Sequence, residues 1–151
     1  MATIYPNDKP TWRAVFSGQL LLPTLVINWG ILLFAIDTFI ITTIMPSVIE
    51  DIGGTSLYAW PVMIFTVGAI VGAASAGPIR IKYGQRDGFV LAGSLFLFGN
   101  LGAAFASTIE ILIAWRLLQG LGGGLIISQA FGVVGSIYPP GLRTRIFSVI
   151  S

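Results

Sequence analysis

The chain contains no cysteine and no histidine, and charged side chains make up only 9% of its 151 residues. The lack of cysteine removes disulfide frameworks, thiolate nucleophiles and thiolate metal sites, and the lack of histidine removes the imidazole proton shuttle. No metal site is expected, and any proton chemistry falls to carboxylates. A soluble domain carries about 25% charged residues, so this chain lacks the polar surface needed to face water. That balance excludes a soluble enzyme, a disordered tail and a nucleic-acid-binding module. There is no Gly-x-x-x-x-Gly-Lys-[Ser/Thr] sequence for a nucleotide phosphate, and no cofactor is expected. The start of the chain does not read as a cleaved signal peptide, because its apolar stretch is long and continuous and has no small-x-small cleavage pattern.

What is present is apolar: 55% of residues, with a mean hydropathy of +0.90. The net charge of +2 comes from 8 Lys+Arg against 6 Asp+Glu, and these few charges cut the chain into long uncharged blocks. A helix needs about 20 apolar residues to cross a bilayer core, and bare backbone cannot sit in hydrocarbon. Four blocks meet that length, at about 20–47, 57–79, 88–108 and 110–137. The fold class expected is therefore an all-α membrane protein of four transmembrane helices plus the start of a fifth, from about 144. Residues 1–19 form a segment before the bundle, and 20–151 form the bundle itself. Polar turns at Asp51–Ser56 and Tyr83–Gly88, a helix cap at Ser107-Thr108 and a stop at Pro139-Pro140-Gly141 separate the blocks. Prolines 46, 61 and 78 fall near span ends.

Orientation follows from the basic residues. Lys9 and Arg13 precede the first span, Arg80, Lys82 and Arg86 lie between the second and third, and Arg143 and Arg145 follow the fourth. The intervening loops have none, which puts both ends of the chain in the cytoplasm. Trp12, Phe16, Tyr58, Trp60, Tyr83 and Tyr138 fall near the interfaces, where amphipathic aromatics collect.

Two charges interrupt the spans: Asp37 in the first and Arg116 in the fourth. Each costs roughly 2.5–3.5 kcal/mol at mid-membrane unless it faces a partner or a wet cavity. Spans one and four run in opposite directions. At ~1.5 Å per residue Asp37 lies ~15 Å, and Arg116 ~9 Å, below the outer ends of their helices. A long Arg side chain covers that offset, so an Asp37–Arg116 pair, direct or through water, is allowed. Such a pair either pins two helices together or makes Asp37 a protonatable site whose proton affinity Arg116 modulates. Glu110, at an outer helix end, reads as solvated or capping.

Small residues recur every fourth position in span four, at Gly120, Gly124, Ser128, Gly132 and Ser136, and in span two at Gly68, Gly72 and Ala76. Stripes of this kind let helix backbones approach closely. Gly120-Leu121-Gly122-Gly123-Gly124 resembles a phosphate loop only superficially, since no strand precedes it.

Three motifs carry a resemblance to the N-terminal part of a major facilitator superfamily transporter, closest to the fourteen-span drug/proton antiporters. In span one, Asp37-Thr38-Phe39-Ile40-Ile41-Thr42-Thr43-Ile44-Met45-Pro46 resembles Asp-x-Thr-Ile-Val-Asn-x-Ala-Leu-Pro, with Phe39 and Thr42 departing from it. In span four, Arg116-Leu117-Leu118-Gln119-Gly120-Leu121-Gly122 is similar to Arg-x-x-Gln-Gly-x-Gly. Between spans two and three, Gly77–Arg86 follows Gly-x-Leu-x-Asp-[Arg/Lys]-x-Gly-Arg-[Arg/Lys]; Gly77, Lys82, Gly84 and Arg86 match, while Ile81 stands at the Asp position and Gln85 at an Arg position.

The resemblance implies proton coupling or recognition of cationic substrates at Asp37, proton transfer assisted by Arg116, and cytoplasmic gating by the Gly77–Arg86 loop. Ile81 replaces the charge by which that loop latches in the family. Implied partners are a small-molecule substrate, protons, the lipid bilayer and the remaining transporter spans, with a bacterial inner membrane as the location. The chain is about a third of such a transporter. Two other readings stand beside it: a non-transporting four-helix membrane protein, as assembly partner or inactive remnant, and a small dimeric four-span multidrug transporter. The last type relies on a first-span Glu, where this chain has Asp37.

Overall fold

The computed structural model describes residues 21–137, all helix but for short connections. Helix α1 runs Leu21–Ile52, a 3-10 turn follows at Thr55–Leu57, α2 runs Trp60–Ala104 and α3 runs Ile109–Ile137. The segment 1–19 with Trp12, Phe16, Lys9 and Arg13, the stop at Pro139–Gly141, Tyr138, Arg143, Arg145 and the fifth run from about 144 lie outside the described residues. Three helical stretches, 28–52, 55–104 and 109–135, are long and apolar enough to cross a membrane.

The two middle spans expected from sequence, about 57–79 and 88–108, form one element of 45 residues. A straight helix of that length would reach roughly 68 Å, more than twice a bilayer core. It is not straight. Gly84 has φ 82° and ψ 175°, a conformation essentially confined to glycine, and it divides α2 into two limbs. The neighbours of each limb show that the chain reverses there. On the first limb Phe65 faces Gly120 and Ala69 faces Gly124, so that limb runs parallel to α3. On the second, Gly88 faces Gln129, Phe96 faces Gly122 and Gly99 faces Gln119, so it runs antiparallel. The polar turn expected over Tyr83–Gly88 thus narrows to one residue, with helix on both sides.

Other boundaries shift modestly. Helix α1 continues past 47 to Ile52 because Glu50 and Asp51 are exposed at its end, and the second limb stops at Ala104. Pro46 and Pro78 lie inside helices, whereas Pro61 occupies the first turn of α2, where its missing N–H costs nothing. Thr108 caps α3, its Oγ1 accepting from the Ile111 backbone N–H at 3.5 Å.

Helix α3 is the hub. A Cβ at Gly120 or Gly124 would collide with the carbonyl oxygens of Phe65 and Ala69 on the first limb. One at Gly122 would strike the Phe96 backbone on the second limb, and one at Gly123 would meet the Phe34 ring of α1. In return, Gly68 and Gly72 on the first limb admit the carbonyls of Leu117 and Leu121. The two small-residue stripes therefore face each other. Glycines aimed in three directions let the backbones of both α2 limbs and the Phe34 ring of α1 close on one helix, which explains why this segment is so rich in them. Helix α1 packs antiparallel on α3 and touches α2 only sparsely. The exterior is apolar, with Trp29, Phe39 and Ile70 exposed by 65, 74 and 66%.

Candidate functional site

Two apolar clusters bracket a polar layer. Ile41, Met45 and Ile49 of α1 pack on Ile109 and Leu112 of α3 at one end. Ala76, Ala92, Phe96, Leu125 and Ile126 pack together farther along α3. Between them, one turn of α1 and one of α3 present Asp37, Arg116 and Gln119 to each other. Arg116 and Gln119 are three residues apart and so share a face of α3.

Arg116 Nη1 lies 3.0 Å from Asp37 Oδ2, an ion pair whose side chains are 5% and 12% exposed. Gln119 Nε2 donates to Asp37 Oδ1 at 2.6 Å and to Asn100 Oδ1 at 2.9 Å. Asn100 Nδ2 donates to the Phe96 carbonyl at 2.9 Å. The Arg116 guanidinium also stands 5.8 Å from the centre of the Phe65 ring, which itself stacks on Phe34 at 5.5 Å. A cation held against an aromatic face and a carboxylate loses less on leaving water than a bare one. The layer is not saturated: Arg116 Nε and Gln119 Oε1 are buried with no hydrogen-bond partner among the described residues.

Asp37 and Asn100 border two cavities. One, of about 390 Å³, leads past Ile44 and Val48 to Asp51 near the end of α1 and also reaches Arg116 and Gln119. The other, of about 810 Å³, is apolar and runs from Asp37 past Trp29, Phe89 and Leu97 toward the opposite end of α1. Asp37 is the carboxylate that the two cavities share.

The structure thus brings Asp37 and Arg116 into contact and adds two residues that the sequence reading did not assign to the site. Gln119 appeared there only as a motif letter, and Asn100 not at all. Their signal is an uncharged amide within an apolar span, which the charge pattern does not show. The expected gating residues are elsewhere. Gly77, Lys82, Gly84 and Arg86 are all exposed at the other end of the bundle, and a Cβ at Gly77 would meet nothing. Lys82 Nζ sits 5.1 Å from the centre of the Tyr83 ring, while Arg80 lies against Gly132. Ile81, at the family's Asp position, is 89% exposed. No group of three or more His, Cys, Asp or Glu placed to hold a metal occurs among the described residues.

An apolar helical bundle with a buried ion pair at the meeting of two cavities defines a polytopic membrane protein. The chain belongs to the Major Facilitator Superfamily, whose family model matches residues 27–151. It is 33% identical over 145 residues to a probable multidrug-efflux transporter of Mycobacterium tuberculosis, covering 96% of this chain and 31% of that protein. It is 31% identical over 116 residues to multidrug resistance protein 3 of Bacillus subtilis, covering 77% of this chain and 23% of that protein. Its fold matches the inward-open xylose transporter XylE from E. coli with a TM-score of 0.77 at 23% identity, over 86% of this chain and 35% of that one. The chain spans a third or less of the length of these curated relatives.

Proposed function

We propose that the chain forms part of a proton-coupled efflux transporter for small lipophilic or cationic compounds, completed by the remaining transporter spans. In this reading the chain crosses a bacterial inner membrane four times, α2 supplying two crossings, with both ends cytoplasmic. The basic residues at 80, 82 and 86, beside the reversal at Gly84, support that orientation. Alternating access needs two helical bundles rocking about a midplane site, so the missing spans are obligatory partners.

The observation that carries the proposal is the buried contact of Arg116 with Asp37 at 3.0 Å, bordered by cavities on both sides. As a carboxylate, Asp37 holds Arg116 and Gln119 and ties α1 to α3. A proton neutralises that charge and loosens both contacts, and a cationic compound competes with the proton for the same oxygens. Binding of one then disfavours the other, which is the condition for exchange. Arg116 modulates the proton at Asp37, and the loop with Gly77, Lys82, Gly84 and Arg86 shapes the cytoplasmic gate. The apolar wall of Trp29, Phe89 and Leu97 suits a lipophilic body attached to the cation.

The experiment is proton-gradient-driven efflux of a fluorescent cationic dye from vesicles holding the completed transporter. Unmodified protein is expected to pump and Asp37→Asn to be inactive while still inserting. Normal pumping by Asp37→Asn would make the ion pair structural and remove the proton site.

A further inference from the structure

We infer that Asn100 is a positioning residue for Asp37: it locks the Gln119 side-chain amide with its N–H edge toward the carboxylate. The inference deepens the proposed function and rests on Asp37 being the protonatable site.

The argument is a count of donors and acceptors. Gln119 is 1% exposed, and its Nε2 has two hydrogens. One goes to Asp37 Oδ1 and the other to Asn100 Oδ1, at 2.6 and 2.9 Å. Turning the amide over would put Oε1 against two acceptors at once, the carboxylate and the Asn100 carbonyl. Asn100 cannot turn to accommodate it without loss, because its own Nδ2 is committed to the Phe96 carbonyl one helical turn back, at 2.9 Å. A backbone carbonyl therefore fixes Asn100, Asn100 fixes Gln119, and Gln119 faces Asp37 as a donor only.

That lock matters when Asp37 takes up a proton. The new hydroxyl is a donor and needs an acceptor, and Gln119 Oε1 is a buried acceptor with no partner among the described residues. It reaches Asp37 only if the amide turns over, which Asn100 opposes. Asn100 thus holds Gln119 as a donor toward Asp37 without touching the carboxylate itself. The charged groups beside Asp37 are Arg116, from α3, and Asp51, on its own helix at the far end of one cavity; α2 contributes none to either cavity lining. Removing Asn100 leaves those charges in place and frees the amide to turn.

The test is an infrared titration of the purified, completed transporter in lipid nanodiscs, reading the protonated carboxyl C=O band that disappears in Asp37→Asn. It needs no transported compound. Asn100→Leu, similar in shape but without the acceptor, is expected to move the midpoint by about one unit, the scale of one hydrogen bond. Asn100→Gln keeps a carbonyl acceptor at a position bordering both cavities and is expected to stay near the unmodified midpoint. Should Asn100→Leu not be recovered folded, Asn100→Ala removes the same acceptor and is read the same way. An unmoved midpoint in the acceptor-free variant overturns the role of Asn100 and leaves the proton site standing. Absence of any band dependent on Asp37 overturns both.

Discussion

Gln119 and Arg116 divide the Asp37 carboxylate between them, Gln119 Nε2 donating to Oδ1 at 2.6 Å and Arg116 Nη1 to Oδ2 at 3.0 Å. Both donors come from one face of α3, three residues apart. A carboxylate gripped on both oxygens by a single helix acts as a clasp between that helix and α1.

The clasp has a testable asymmetry. Breaking a buried pair from one side strands a charge and costs about 3–5 kcal/mol, whereas replacing both partners with apolar residues is often neutral. Asp37→Leu alone is expected to lower the yield and thermal midpoint of the inserted protein, and Asp37→Leu with Arg116→Leu to recover most of the loss. Fluorescence-detected size exclusion after graded heating measures both. Equal losses in the single and double variants would show that the cost does not come from stranding the Arg116 charge.

Glycine substitutions along α3 should separate sharply by position. Gly120→Ala and Gly124→Ala drive a methyl into the carbonyls of Phe65 and Ala69, while Gly135→Ala meets open space. Overpacking of this kind costs typically 1–3 kcal/mol, so the first two are expected to lower the thermal midpoint and the third to leave it within error. Gly93→Ala, also in open space, serves as the control on α2.

Gly84 is a different case, because a Cβ there would meet nothing within 4 Å. Any penalty for Gly84→Ala is then purely conformational, about 1–3 kcal/mol for a side chain forced into that region. The expected result is reduced insertion of the second limb, read by protease accessibility of a tag placed after residue 104. Full insertion at the unmodified level would mean that the reversal does not depend on a positive φ.

Gln129 is 1% exposed, and neither its Nε2 nor its Oε1 has a hydrogen-bond partner among the described residues. An orphaned buried amide costs about 1–3 kcal/mol. Gln129→Leu is therefore expected to raise the thermal midpoint by a few degrees, and a lowered midpoint would indicate an ordered water or a further polar partner at this amide.

Much of this architecture was legible in the sequence, and for identifiable reasons. Charge-free blocks mark helices because the bilayer penalises charge so heavily, and an Asp and an Arg inside such blocks announce that they meet something. The glycine stripes of α2 and α3 carried enough periodicity to predict close contact, and they do face each other. What could not be read was the partner geometry of uncharged amides. Asn100 and Gln119 are inexpensive enough in a membrane to pass unnoticed, and only the register of α2 on α3 brings them together. The polar hexapeptide Tyr83–Gly88 locates the reversal but overstates its width, because Gln85, Arg86 and Asp87 look like loop residues and are nevertheless helical. The exposed side chains of Ile81 and Lys82 carry little register, since neither faces α3.

The glycines of α3, aimed at both limbs of α2 and at Phe34 of α1, also order the events of biogenesis. A nascent chain leaves the ribosome N-terminus first, so α1 and the folded-back α2 reach the bilayer while the helix that joins them is still unmade. The backbones of α1 and α2 approach each other only sparsely, so until α3 arrives they are joined through side chains such as Phe34 on Phe65. Asp37 meets Arg116 only after 79 further residues have been synthesised.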